Sequence, residues 1–259
     1  MTTPLDQLPQ PTPTTRPAPR ERWEPEEVWE KEEYAPSRST SSPDRVPAHR
    51  WNVPPDVVAE ISRLAGPQRG PQLAARLAEA SHAFERERLA DARRILRGLA
   101  PDLPDSPAVR EMYGLVLYSG GQYASAAREL EAYRSLTGSL TQNPVLADCY
   151  RALRRYRAAG ERWEELRQAS PSADLVAEGR IVAAGCLADK GDLTGAIELL
   201  ERAAKRVSHP ASRHLRQWYV LADLYERAGD VGRARALFTR VAEADAEAFD
   251  VLERLKSLH

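Results

Sequence analysis

From residue 71 onward, apolar residues recur three and four positions apart within long Ala/Leu/Arg/Glu stretches, which is the period of amphipathic helices. Prolines only punctuate this pattern, at Pro101, Pro104, Pro107, Pro144, Pro171 and Pro210. No alternating Val/Ile/Thr run is bounded by hairpin turn residues, so no strand is predicted. The helical pattern also repeats. In five copies a small residue precedes an alanine by twelve positions: Ala80/Ala92, Gly114/Ala126, Ala147/Ala159, Ala184/Ala196 and Ala222/Ala234. Successive copies start 34, 33, 37 and 38 residues apart, so extra length falls between copies and never inside them. Small residues let two antiparallel helices approach closely, so one helix hairpin fixes their separation while the loops between hairpins are free to lengthen.

The turns are legible too. Gly120-Gly121, Gly191 and Gly229 stand where a helix must end in a left-handed conformation, and Asp192 and Asp230 follow as N-caps. The third copy has Arg154-Arg155-Tyr156 and no glycine. Ser106-Pro107 and Asn143-Pro144 read as N-cap plus first-turn pairs. Ahead of the repeats, Pro54, Pro55 and Asp56 open a short helix striped by Val57, Val58, Ile61 and Leu64, and Gly66-Pro67 stops it. The organisation expected is a tail over 1–50, a short helix and linker over 51–70, five repeats over 71–245 and a capping helix over 246–259. In the cap, Phe249, Leu252 and Leu255 form one side and Asp250, Glu253, Arg254 and Lys256 the other. Residues 1–71 hold fourteen of the twenty prolines, and 1–50 has almost no aliphatic residues, so a disordered tail is expected.

The frame Trp218-x2-Leu221-Ala222-x2-Tyr225, then Ala234-x3-Phe238, resembles the tetratricopeptide repeat family, whose period is near 34 residues. Equivalents are Tyr113-Gly114-x2-Leu117 with Ala126-x3-Leu130, Leu146-Ala147-x2-Tyr150 with Ala159-x3-Trp163, and Ala183-Ala184-x2-Leu187 with Ala196-x3-Leu200. A weaker copy is Ala80-x2-Ala83 with Ala92-x3-Leu96. The resemblance implies an all-α, right-handed solenoid of about five helix hairpins that binds protein or peptide and carries no catalysis. The runs Leu146–Leu153 and Arg180–Gly185, with the long tail, are similar to an uncharacterised actinobacterial family of such repeats. That likeness implies a bacterial cytosolic setting and adds no site.

Composition narrows the chemistry. Formal net charge is −1, so neither nucleic acid nor acidic lipid is the expected partner. Phosphate-loop, dinucleotide and nucleophile-elbow motifs are absent, and no enzyme activity, cofactor or metal is expected. His82, Cys149 and Cys186 share one register position in copies one, three and four, where packing is the expected role. Two cysteines and the lack of a long apolar run or basic leader fit a cytoplasmic protein.

A solenoid of this kind lines its concave side with first helices. The residue after the small position, and those one turn either side, should face the groove. The candidates for peptide binding are Phe84, Glu111, Tyr118, Asp148, Arg151, Tyr219, Asp223 and Glu226, with Leu77, Leu115 and Ile181 beside them. Chaperone-binding members of the family clamp a C-terminal carboxylate with Lys and Asn, which these positions lack. In the tail, Glu21–Tyr34 holds seven glutamates with Trp23, Val28, Trp29 and Tyr34 between them, a composition suited to folding on a partner. Three readings follow. One is a scaffold or adaptor whose tail takes a second partner. Another is a self-regulated module whose tail occupies its own groove, by an intramolecular contact at Arg151 with Tyr118 or Tyr219. The third is an RNA or ribonucleoprotein accessory using the patch Arg151, Arg154, Arg155 and Arg157.

Overall fold

The computed structural model describes residues 53–205 and 207–258. The expectations placed on residues 1–50, including the motif Trp23, Val28, Trp29 and Tyr34, lie outside them. Among the described residues there are eleven helices and no strand. They are α1 (Pro55–Glu85), α2 (Leu89–Leu99), α3 (Pro107–Ser119), α4 (Tyr123–Thr137), α5 (Asn143–Ala152), α6 (Tyr156–Ala169), α7 (Ala173–Asp189), α8 (Leu193–Glu201), α9 (Ser212–Arg227), α10 (Val231–Ala244) and α11 (Val251–Ser257).

Helix α1 is two arms meeting at Gly66, whose φ of 80° and ψ of 164° belong to a region that only glycine adopts readily. The chain folds back there so tightly that a Cβ on Gly70 would lie 2.6 Å from the Cα of Ser62. The second arm pairs with α2, and α3/α4, α5/α6, α7/α8 and α9/α10 complete five hairpins.

All five hairpins turn in the same way. Seven residues after the small position, one residue takes a positive φ: Glu87, Gly121, Arg154, Gly191 and Gly229. The next amide reaches back to the same carbonyl in each: Arg88 to Ala83, Gln122 to Leu117, Arg155 to Tyr150, Asp192 to Leu187 and Asp230 to Tyr225, all at 2.8–2.9 Å. This is a Schellman ending, which satisfies carbonyls the helix leaves without partners. Two of the five left-handed positions are therefore held by residues whose Cβ is sterically disfavoured there. Asp192 and Asp230 cap the following helices by accepting from the amides of Gly195 and Arg233.

The twelve-residue spacing is explained by packing. Ala80, Ala92, Ala126, Ala184, Ala196, Ala222 and Ala234 have no exposed surface, and Ala147 and Ala159 almost none. At Gly114 a Cβ would come within 2.6 Å of Leu130. Around these contacts lie four apolar clusters, large at the two ends of the array and smallest between the third and fourth repeats, where Ala147, Ala159 and Cys186 are the buried members.

Three local expectations are corrected, and Trp163 departs from its equivalents in the other repeats. Asn143 is the first residue of α5 and not its cap. It is buried, and its side-chain amide donates instead to the Arg162 carbonyl and to Glu165, both at 3.3 Å. Trp163 is only partly buried, because Leu166 fills the core and Trp163 lies against Gly179 of the next helix. Leu64 points outward, leaving Ile61 as the buried residue of its arm. In α11 the buried side is Val251 and Leu258, with Leu255 partly covered, whereas Phe249 and Leu252 are exposed.

Candidate functional site

First helices touch one another from repeat to repeat: α1 with α3, α3 with α5, α5 with α7 and α7 with α9. The backbones of second helices lie further apart, joined between α4 and α6 by long charged side chains, so the first helices form the inner, concave layer. Its three stretches differ in chemistry.

At the N-terminal end, the first arm of α1 lies across the inner layer, tied to the start of α3 by a hydrogen bond from the Ser106 hydroxyl to Glu60. Between this arm, the second arm and α3 is a cavity of about 220 Å³. Its walls include Val57, Leu77, Ala78, Met112 and Leu115, with Val53 and Pro54 at the edge and the carboxylates of Glu85 and Glu111 on the rim. Glu111 also accepts a hydrogen bond from Gln142 at 2.8 Å.

The middle of the inner face is a polar ladder. Tyr118 donates to Asp148 at 2.7 Å, Arg151 donates to Asp148 at 2.7 Å and to Asp189 at 2.8 Å, so one chain of hydrogen bonds joins α3, α5 and α7. Burial and then the Asp148 carboxylate hold the Tyr118 hydroxyl above its ordinary pKa, so it remains a donor. Burial alone would lower the Arg151 pKa, but hydrogen bonds and charge from Asp148 and Asp189 outweigh it and keep the guanidinium charged.

The C-terminal end is covered by α11. Arg254 donates to Asp223 at 2.8 Å and to Glu226 at 2.6 Å, and its guanidinium lies 5.8 Å from the Tyr219 ring centroid. Tyr219 donates to Asp250 and stacks on Phe249 with centroids 4.6 Å apart.

Repeated helix hairpins with one shared turn, one shared small-residue contact and a concave layer of first helices define the fold. The tetratricopeptide repeat model matches residues 77–139, 145–212 and 187–249, well over half the sequence. The chain belongs to the tetratricopeptide repeat family. Among solved structures, it is similar to TTC0263, a thermophilic tetratricopeptide repeat protein in Thermus thermophilus (17% identity, TM-score 0.56), over 72% of this chain and 98% of that one. It is also similar to residues 41 to the end of MamA from Desulfovibrio magneticus RS-1 (17% identity, TM-score 0.52), over 68% of this chain and 96% of that one. At these identities the likeness concerns the fold. No curated protein sequence matches the chain.

In this tetratricopeptide array the groove candidates separate into three groups. Tyr118, Asp148 and Arg151 come together in the ladder, and Tyr219, Asp223 and Glu226 come together beneath α11. Glu111 rims the recess with Leu77 and Leu115 in its walls, while Phe84 packs partly into the N-terminal core and Ile181 into the C-terminal one. Of the basic patch, Arg151 is paired within the inner face, while Arg154, Arg155 and Arg157 are exposed. Arg154 occupies the turn, and Arg157 stands fully outward beside Glu161. Cys149 and Cys186 are buried, and burial pushes their thiols up to about 12 and about 11, which leaves them unreactive packing groups. Among the described residues no cluster of His, Cys, Asp or Glu is placed to hold a metal ion, and no helix is long and apolar enough to cross a membrane.

The recess, Asp189 and Arg254 were not among the sequence candidates. The recess depends on the fold-back at Gly66, and Arg254 was assigned to the polar outer side of the cap. A second feature had no sequence signal. Arg134, Arg162, Glu131 and Glu165 from α4 and α6 form an ion-pair network, with Tyr150 donating to Glu131 at 2.9 Å. It joins the second repeat to the third, alongside the apolar cluster that Leu117, Leu130, Leu146 and Cys149 form across the same junction.

Proposed function

We propose that this chain is a non-enzymatic scaffold that binds an extended segment of a protein partner along its inner face. The observation that supports it is the recess beside the ladder. An apolar cavity of about 220 Å³ can take one large side chain of the partner, and the Asp148 and Asp189 carboxylates of the ladder keep lone pairs that can accept from the partner's backbone amides beyond it. Glu85 and Glu111 favour a cation next to that anchor. The tail residues Trp23, Val28, Trp29 and Tyr34 remain the proposed contact for a second partner. A cytoplasmic setting belongs to the same proposal.

Self-regulation by the acidic segment Glu21–Tyr34 at Arg151 is not supported, because Arg151 already has two carboxylates within 2.8 Å. The RNA reading loses Arg151, whose guanidinium is already paired with Asp148 and Asp189.

The test is site-specific photocrosslinking in native lysate, with the photoreactive residue at Gly185 in the middle of the inner face or at Arg128, exposed on α4. A defined adduct from Gly185 and none from Arg128 is the expected result. Adducts from Arg128 alone, or from neither position, would reject the inner face as the binding surface.

A further inference from the structure

We propose that the recess at the N-terminal end of the inner face is filled by this chain's own Trp51, with Arg50 held at its acidic rim. The proposal deepens the reading of the inner face as a binding surface: the segment Val46–Asn52 would be a resident occupant that an incoming partner must displace from that end.

The first argument is position. Val53 and Pro54 stand at the edge of the cavity, and Trp51 is two residues before Val53. Two residues span at most about 7 Å, so the chain enters the described structure at the mouth of the recess and Trp51 cannot be far from it. The second is shape and polarity. Val57, Leu77, Ala78, Met112 and Leu115 offer an apolar wall that suits an indole, while Ser81 in the lining offers a polar atom to an N–H. The third is charge. Glu85 and Glu111 are the acidic groups of the lining, and neither lysine nor arginine is part of it. The residues leading to Trp51 are His49 and Arg50, which complement such a rim. The segment Glu21–Tyr34, with its seven glutamates, would be repelled by it even though it also carries tryptophans.

The ion pairs of Arg50 would be exposed and screened by salt, so most of the attraction must come from burying the indole. Salt should therefore weaken the contact without abolishing it. A tether of two residues also holds the indole at high local concentration, so a modest contact suffices to keep the recess filled.

The chain contains two methionines, Met1 and Met112, and Met112 lines the recess. Full-length protein labelled with [methyl-13C]methionine therefore reports the recess through one assigned methyl signal. With Trp51 in place, that methyl should be shifted upfield by the indole ring current and show cross-relaxation with indole protons. Trp51→Leu should move it downfield, Trp51→Phe should leave it part-way between, and Trp23→Leu and Trp29→Leu should leave it where it was. The shift should not depend on protein concentration. An unchanged Met112 signal in Trp51→Leu would overturn the proposal. So would a signal that responds to Trp23→Leu or Trp29→Leu instead, which would make the acidic segment the occupant, or a concentration-dependent shift, which would make it a second copy. The measurement needs no partner. A failed crosslink at Gly185 with a Trp51-dependent Met112 shift would reject the partner reading alone, and the opposite pair of results would reject only this proposal.

Discussion

Arg154 is the residue at which the repeat's turn conflicts with its side chain. Its φ is 58°, in the position that Gly121, Gly191 and Gly229 fill in other repeats. A left-handed residue with a Cβ costs about 1–2 kcal/mol, while glycine loosens the unfolded chain by roughly 0.4–1 kcal/mol, so Arg154→Gly should stabilise the protein by about 0.5–1 kcal/mol. Urea midpoints at constant slope would show it, and Gly191→Arg should move the midpoint the other way. The opposite sign is expected at the helix contacts. Ala147 is 1% exposed where α5 meets α6, so Ala147→Leu should overpack it and cost roughly 1–3 kcal/mol. A thermal melt unchanged by that substitution would contradict the packing described for this pair. Both residues were identifiable from the twelve-residue spacing, because a hairpin of fixed geometry forces the same residue size at the same register. Asn143 was not, because its partners Arg162 and Glu165 come from the next helix.

Among the elements, α11 depends on tertiary charge more than on its own stripe of apolar residues. Arg254 crosses from the cap to Asp223 and Glu226 of α9 and lies 5.0 Å from the Phe238 ring centroid. Removing it leaves Glu226 without its cation and Asp223 with Arg227 alone, at 3.9 Å, so Arg254→Ala should cost about 1–2 kcal/mol. The loss should be local first. Amide exchange in Val251–Ser257 should accelerate before that of α9 and α10, and sodium chloride should narrow the difference between wild type and variant. If exchange rises uniformly along the array, α11 does not open independently of the repeats beneath it. The fold-back of α1 is the counterpart at the other end. Gly66-Pro67 marked the break in the sequence, but which surface the first arm would cover was open until the arm was seen against α3.

For the whole array, stability should be uneven. Repeat proteins add local repeat and neighbour terms, and the third repeat meets the fourth through the smallest apolar cluster and carries the strained turn at Arg154. Its connection to the second repeat adds the ion pairs of Arg134, Arg162, Glu131 and Glu165 to the apolar cluster around Leu130 and Leu146. Hydrogen exchange should therefore be fastest in α5 and α6 among the five hairpins, and raising sodium chloride toward 1 M, where the screening length falls to about 3 Å, should widen that gap. Equal protection across all five hairpins would count against a stabilising share for the ion pairs at this junction.

What the sequence determined by itself is everything that repeats: the helix class, the number of hairpins, the turn positions and the small-residue contacts. Each depends on residues near one another in the chain, and five copies report the same geometry. What only the tertiary structure decided is what happens once. The first arm of α1 lies over the inner face and creates the recess, Arg254 closes the groove's other end, and Arg151 is neutralised by Asp148 and Asp189. Those outcomes depend on which charged side chains meet across helices tens of residues apart, and a pattern of apolar spacing carries no information about such pairings.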